Sequence, residues 1–165
     1  MALEIERRFL IKNDNWKKFI TKKIFIEQAY LSKSLDDWII RIRSSGKKSK
    51  ITLKKHINGF TNFEFEYSIP RRDGEIIMSN ISNIIKKERF FLEVGKRSWI
   101  IDCFKENNYP LEIAEIELSN EEEDLFLPSF ISKEITGLTQ YSNFSLANKP
   151  FSEWEKDYLT TFKSK

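Results

Sequence analysis

Alternation of charged and apolar residues near the start of the chain restricts its fold more than any other feature. In residues 3–10, the period of two of a β-strand places Glu4, Glu6 and Arg8 on one face and Phe9 on the other. Charged groups on a buried face cost free energy unless each finds a partner. The stretch therefore either faces water or belongs to an interior built from paired charges.

The same pattern returns on six later segments, which together with residues 23–32 are predicted to be strands. The predicted segments are 23–32, 38–44, 49–56, 62–69, 84–93, 98–104 and 111–118. Acids and bases occupy different strands, and the opposite face of the paired strands is mainly apolar. The acids are Glu4 and Glu6 on the first strand, Glu64 and Glu66 on the fifth, Asp102 on the seventh, and Glu115 and Glu117 on the eighth. The bases are Arg41 and Arg43 on the third strand, Lys54 on the fourth, and Lys87 and Arg89 on the sixth.

Short helices are predicted between the strands. One follows the capping residues 13–15 and covers 16–20, and a second covers 73–83. The run 47–50 is predicted to be a solvated turn. A last helix is predicted at about 150–163, where Trp154 and Tyr158 either dock it on the strands or let it plug one end.

Composition narrows the class of protein. The 165 residues are 40% hydrophobic and 32% charged, which predicts one globular domain over residues 1–165. A single Cys and a single His exclude an internal disulfide and a zinc cluster, so any metal would be a hard ion with oxygen ligands, Mg2+ or Mn2+. No apolar run is long enough for a membrane span, and we expect a cytoplasmic location. The net charge of +3 says little about partners.

Two architectures accommodate the charged faces. In one, the apolar faces form an ordinary core and the charges face water. In the other, the sheet closes into an eight-stranded antiparallel barrel, whose lumen holds the charges and whose apolar outside is covered by helices. Such a lumen would bind a polyanion through its bases and a divalent cation through its acids. The alternation pattern leaves both architectures open.

The chain resembles the CYTH superfamily of triphosphate tunnel metalloenzymes. Residues 4–10, Glu-Ile-Glu-Arg-Arg-Phe-Leu, are similar to the N-terminal ExExK strand of that family. Further similar segments follow in the same order, and together they span about residues 2–147. These segments are 28–31, 41–43, 51–54, 64–66, 87–89, 99–102, 114–118, 134–136 and 141–143.

The resemblance implies a mainly β fold, a closed eight-stranded antiparallel barrel with helices outside, and metal-dependent hydrolysis of a triphosphate, with inorganic tripolyphosphate as the first candidate. The implied cofactor is Mg2+ or Mn2+, and the partners are a small-molecule triphosphate and, as one option, a second copy of the chain. The implied metal ligands are Glu4, Glu6, Asp102, Glu115 and Glu117. The implied phosphate-binding residues are Arg8, Arg41, Arg43, Lys54, Lys87 and Arg89. The implied catalytic residues are Arg8, Tyr30, Glu66 and Glu117, while Glu64 is a lumen acid of open role.

This sequence departs from the family pattern at sites that matter. Arg8 stands where the motif has Lys, and a guanidinium effectively cannot lose its proton. Asn62 stands where an Arg is common, and Glu106 and Pro110 replace glycines of a turn. We therefore expect weakened activity.

Three rival functions follow from the same residues. One is a protein that binds a triphosphate or nucleotide without turnover, and another is an adenylate-cyclase or thiamine-triphosphatase member of the family. The third is a nucleic-acid-binding barrel with Phe63, Phe65 and Trp99 as stacking platforms, which the acids on the charged faces disfavour.

Overall fold

The computed structural model describes residues 3–32, 34–35 and 37–154, which form one antiparallel sheet with short helices around it. The strands are β1 Leu3–Ile11, β2 Ile20–Tyr30, β3 Ile39–Ser45, β4 Lys48–Asn58, β5 Thr61–Ile69, β6 Ile84–Val94, β7 Arg97–Phe104, β8 Glu112–Glu117 and β9 Ile131–Glu134. The α-helices are α1 Arg71–Ser79 and α2 Asn143–Asn148, and 3-10 helices lie at Asp14–Phe19, Glu106–Asn108, Thr139–Tyr141 and Phe151–Glu153. No helix among these residues is both long and apolar enough to cross a bilayer.

The sheet closes on itself. Its strand order is β5-β4-β3-β2-β6-β7-β8-β1-β9, and β5 also pairs with β1. Strands β1–β8 therefore form a closed antiparallel barrel, and β9 is an additional strand beside β1. The predicted barrel is confirmed, and the open sheet with a solvated charged face is excluded.

The strand order gathers the predicted charges into two halves. The acid-bearing strands β7, β8, β1 and β5 are consecutive around the barrel. The other four, β4, β3, β2 and β6, are consecutive as well, and three of them (β4, β3 and β6) carry the remaining predicted bases. Arg8 on β1 is the exception, since it lies among the acids. The lumen thus has a carboxylate wall opposite a cationic wall.

The outside of the barrel is covered in two places. Trp16 of the first 3-10 helix packs with Phe9, Trp99 and Phe130 over β1, β7 and β8. Met78 of α1 packs against Ala29 and other apolar residues over β2 and β3. These two clusters are the apolar layer that the alternation predicts.

A third apolar cluster closes one end of the lumen. Leu10, Phe104 and Ile113 share the lumen face with the charged residues, and they are buried against the segment that contains Tyr141 and Leu146. The C-terminal part of the described chain therefore lies across one end of the barrel instead of on its outside.

Several predicted elements differ from the observed ones. The helix predicted at 73–83 spans Arg71–Ser79, and the solvated turn predicted at 47–50 is largely the start of β4. Strand β9 was not predicted. Of the helix predicted at about 150–163, the structure shows a 3-10 helix at Phe151–Glu153, and residues 155–163, including Tyr158, lie outside the described residues.

Candidate active site

Strand register places the predicted site residues on the inner face of the barrel. Residues directly opposite each other on antiparallel strands point to the same side of the sheet. Pairings such as Lys54 with Glu64, and Arg89 with Asp102, therefore tie the charged positions of neighbouring strands to one common face. Pairing of Arg8 with Glu115 and of Arg41 with Tyr30 extends that face to β1 and β2.

Two cavities open into this lumen. The first cavity has a volume of about 360 Å3 and is lined by residues that include Glu66, Glu115 and Glu117. The second cavity, of about 470 Å3, lies beside the closed end and is lined by residues that include Arg8 and Tyr30. Four residues line both cavities: Glu6, Arg41, Lys54 and Asn143. We call this shared region the waist of the lumen.

Lys54 holds three carboxylates together at the waist. Its Nζ forms ion pairs with Glu4, with Glu6 at 3.2 Å and with Glu64 at 3.6 Å. Burial and the adjacent Glu6 raise the pKa of Glu4 to about 8. Burial opposes ionisation of Glu6 as well, but Lys54 and Arg8 outweigh it and keep the pKa of Glu6 below its usual value. At the waist, one lysine thus faces three carboxylates, and the carboxylate wall has room for a further cation.

The arginines of β3 are paired with the acids of β5. Arg43 forms an ion pair with Glu66, which also contacts Lys50. Arg41 lies 3.7 Å from Glu64 and donates to the Thr52 hydroxyl at 3.1 Å. The Arg41 Nε is buried and has no partner among the described residues. A buried donor without a partner is costly, so Arg41 is suited to a ligand oxygen.

Asp102, Lys87 and Arg89 form a buried group behind the first cavity. Asp102 is fully buried and accepts two hydrogen bonds from Arg89, both at 2.7 Å, and one from Lys87 at 2.5 Å. Arg89 and Lys87 outweigh the effect of burial and hold the pKa of Asp102 far below its usual value. Burial lowers the pKa of Lys87 to about 8. Arg89 lines the first cavity, whereas Asp102 and Lys87 line neither cavity.

Arg8 is anchored on both sides. Its Nε lies 3.2 Å from Glu115, and its Nη2 donates to the main-chain carbonyl of Tyr141 at 3.1 Å. Glu115 also pairs with Arg89 at 2.9 Å. The guanidinium thus bridges the acid wall and the C-terminal segment, next to the second cavity.

Tyr30 lies at the second cavity with its hydroxyl inside a polar network. The Gln28 amide donates to that hydroxyl at 2.7 Å, and the Tyr30 ring packs edge to face against Phe144. Burial raises the pKa of Tyr30 to about 12. The phenol therefore stays protonated at neutral pH and can act as a hydrogen-bond donor.

Glu117 differs from the other lumen acids. It is exposed at the first cavity, lies opposite Glu6 in the register, and has no ion pair among the described residues. Glu117 is thus available for a cation or a water that enters with a ligand.

The donor set fits a hard divalent cation. Glu4, Glu6, Glu115 and Glu117 supply only oxygen donors to the first cavity, which suits Mg2+ or Mn2+. Among the described residues no three acidic, His or Cys side chains already have the spacing of a metal site, because most of these carboxylates face cations of the chain.

Four residues at the lumen were not predicted as site residues. Lys50 contacts Glu66, and its place in a lysine-rich run indicated a solvated turn. Thr52 and Gln28 are buried polar residues on the lumen faces of β4 and β2. Asn143 comes from the C-terminal segment, where no alternation marks a lumen position. Gln28, Thr52 and Asn143 do lie in segments that resemble the family, and that resemblance is the signal that could have revealed them.

Comparison with known proteins agrees with this architecture. No family model matches the chain. The crystal structure of the inorganic triphosphatase NE1496 superposes with a TM-score of 0.66 at 24% identity and covers 89% of this chain and 95% of that one. HpAC1 from Hippeastrum, whose structure is reported with a dominant triphosphatase activity, superposes with a TM-score of 0.55 at 14% identity and covers 74% and 81%. At these identities the two structures show a shared fold.

A relative extends the similarity to nearly the whole sequence. The inorganic triphosphatase of Acetivibrio thermocellus is 30% identical over 158 residues, which are 94% of this chain and 100% of that protein. The closed barrel and the charged lumen agree with that similarity. The chain therefore belongs to the CYTH superfamily of triphosphate tunnel metalloenzymes.

Proposed function

We propose that the protein hydrolyses a triphosphate inside the barrel, with inorganic tripolyphosphate as the substrate and Mg2+ or Mn2+ as the cofactor. One observation carries the proposal: a carboxylate wall and a cationic wall face each other across a lumen that two cavities reach. Hydrolysis of a phosphoanhydride needs its charges neutralised and its water aligned. Opposed walls of opposite charge serve both needs.

The cationic wall holds the phosphates. Four bases line the first cavity, and each faces a carboxylate of the same barrel: Arg41, Arg43, Lys54 and Arg89. Phosphate oxygens replace those carboxylates when the substrate binds, and the guanidinium groups hold them through two donors each. Lys87 lies behind this surface and positions Asp102 and Arg89.

The carboxylate wall would hold the cation through Glu4, Glu6, Glu115 and Glu117. When bound, the cation neutralises phosphate oxygens and lowers the barrier to attack by water. Asp102 supports this wall indirectly, because it fixes Arg89, which in turn contacts Glu115.

The two cavities differ in the catalytic step that their residues can assist. Glu117 and Glu66 line the first cavity, where a carboxylate can orient the attacking water. Arg8 and Tyr30 line the second cavity, where a guanidinium and a protonated phenol can stabilise the leaving group. In this arrangement a triphosphate lies along the waist between them.

A second candidate is binding without turnover. Arg8 favours it, because a guanidinium cannot deliver a proton as the motif Lys could. Asn62 at the second cavity supplies no charge where an Arg is common.

Phosphate release separates the candidates. The purified protein is assayed with inorganic tripolyphosphate, thiamine triphosphate and ATP, each with Mg2+, Mn2+ or EDTA. We expect metal-dependent release from tripolyphosphate, and we expect Glu6→Gln to reduce its rate by about 100-fold or more. Release in EDTA, or an active Glu6→Gln variant, would contradict the assignment.

A negative assay has a defined meaning. If no substrate is turned over but tripolyphosphate with metal raises the unfolding temperature, the protein is a triphosphate-binding member of the family. If neither effect occurs, the proposed function is wrong.

A further inference from the structure

Asn143 reaches the lumen from the C-terminal segment. It is the first residue of α2, and its side chain lines both cavities at the waist. The Ser142 hydroxyl accepts a hydrogen bond from the Ser145 main-chain N–H at 3.1 Å, and Phe144 packs on Tyr30. These contacts fix the backbone on both sides of Asn143.

The contact with Lys87 determines the orientation of the Asn143 side-chain amide, that is, which way its oxygen and its NH2 group point. The Lys87 Nζ donates to the Asn143 Oδ1 at 2.9 Å. An ammonium group can only donate, so the oxygen of the amide must face Lys87 and the NH2 group must point the other way. Within the described part of the chain that NH2 group donates to no other residue.

We propose that Asn143 is a substrate-binding residue, whose Nδ2 donates to an oxygen of the triphosphate at the waist. The inference rests on the proposed function. Phosphate oxygens accept hydrogen bonds, and an uncharged donor adds one without drawing in another carboxylate. Lys87 then has a second effect, since it holds the amide in the orientation that offers this donor.

Two substitutions distinguish binding from a purely structural role. Asn143→Asp keeps an acceptor for Lys87 but replaces the donor with a negative charge, whereas Asn143→Ala removes both. If Asn143 binds substrate, we expect KM for tripolyphosphate to rise about tenfold in Asn143→Ala and further in Asn143→Asp, with a smaller change in kcat. If it only holds Lys87, Asn143→Ala loses stability in urea but keeps a KM within about twofold of wild type, which overturns the inference.

Asn148→Asp is the matched control, because it places the same charge on α2 but outside the two cavities. We expect its KM to stay within about twofold of wild type. Calorimetric titration with tripolyphosphate and Mg2+ should show the same order of affinities, and urea unfolding shows whether each variant is folded. Should Asn143→Asp fail to fold, a wild-type affinity of Asn143→Ala overturns the inference. A wild-type protein that neither binds nor hydrolyses tripolyphosphate overturns the proposed function as well.

Discussion

Single residues in the lumen differ widely in how much the fold depends on their charge. Asp102 is fully buried between Lys87 and Arg89. Its two carboxylate oxygens accept one hydrogen bond from Lys87 and two from Arg89. Glu88 belongs to the neighbouring strand but pairs with Lys23 and Lys105 on the outer side of the barrel, where both lysines are exposed. One sheet therefore contains a carboxylate paired with cations in the buried interior and another paired with cations at the solvent-accessible surface.

We expect Asp102→Asn to destabilise the protein by roughly 3–5 kcal/mol, because it leaves the buried Lys87 without a compensating charge and Arg89 with Glu115 alone. Glu88→Gln, the control, should cost less than about 1 kcal/mol, since exposed pairs are weak. Urea unfolding followed by circular dichroism measures both changes. If both variants lose the same free energy of unfolding, the ion pairs of Asp102 contribute no more to stability than a surface ion pair does.

Arg8 tests whether a fixed cation is enough for catalysis. We expect Arg8→Lys to raise kcat for tripolyphosphate by about tenfold, because a buried Lys can also transfer a proton to or from the reacting groups. Arg7→Lys on the outer face, where Arg7 pairs with Glu134, is the control and should leave kcat unchanged. A lower kcat in Arg8→Lys would show that the two-sided anchoring by Glu115 and Tyr141 matters more than the proton.

At the scale of elements, the barrel is closed by a short seam. Strands β1 and β5 pair over only three residue pairs among the described residues. Glu121, from the loop after β8, accepts hydrogen bonds from the Phe60 main-chain N–H at 3.2 Å and the Thr61 hydroxyl at 2.5 Å. This carboxylate fastens the β4–β5 turn beside the seam.

Gly59 is the residue at which this fastening can be tested. Its φ of +50° is unfavourable for other residues, and an added Cβ would lie 2.5 Å from the Glu121 carboxylate. Gly46 has a similar φ of +58° with open space around it. We expect Gly46→Ala to cost about 1 kcal/mol, and Gly59→Ala to cost about 1–3 kcal/mol more through the lost Glu121 hydrogen bonds.

Urea unfolding of the two glycine variants measures that difference. In a Glu121→Ala background the extra cost of Gly59→Ala should disappear, because no hydrogen bonds remain to be lost. If the difference between Gly59 and Gly46 persists in that background, Glu121 does not fasten the turn.

Alternation in the sequence predicts some elements well and others not at all. Seven of the eight barrel strands carry period-two patterns, and the predicted lumen faces of Glu4, Lys54 and Arg89 agree with the register. In β2 the apolar run 24–26 interrupts the pattern. Strand β9 has only four residues, and it is held by pairing with β1 and by the contact of Arg7 with Glu134. No local sequence pattern predicts these long-range contacts. The segment that brings Asn143 to the waist is irregular, and only tertiary packing determines where it lies.

At the scale of the whole molecule, the charges of the lumen largely neutralise one another. A triphosphate with its cation can replace the internal partners on both walls at once, so binding and folding should be coupled. We expect tripolyphosphate at about 100 times its Kd, with Mg2+, to raise the free energy of unfolding by about 2.7 kcal/mol. Urea unfolding with and without ligand measures this change.

Inorganic phosphate at matched ionic strength is the control, because a single phosphate cannot extend along the waist. Its effect should be much smaller than that of tripolyphosphate. Equal stabilisation by the two anions would indicate general salt effects, and the lumen would then have no preference for an extended chain.

The separation of acids and bases into two halves of the barrel has a geometric consequence. Opposed walls of opposite sign create an electric field across the bore, perpendicular to its axis, much like that between the plates of a capacitor. Such a field draws the phosphate chain to the cationic wall and its cation to the carboxylate wall, but it does not distinguish the two ends of a symmetric chain. The direction of entry must therefore be set by what differs along the axis. Glu117, which has no ion pair in the described part of the chain, lies at one cavity, and Arg8 with Tyr30 lies at the other.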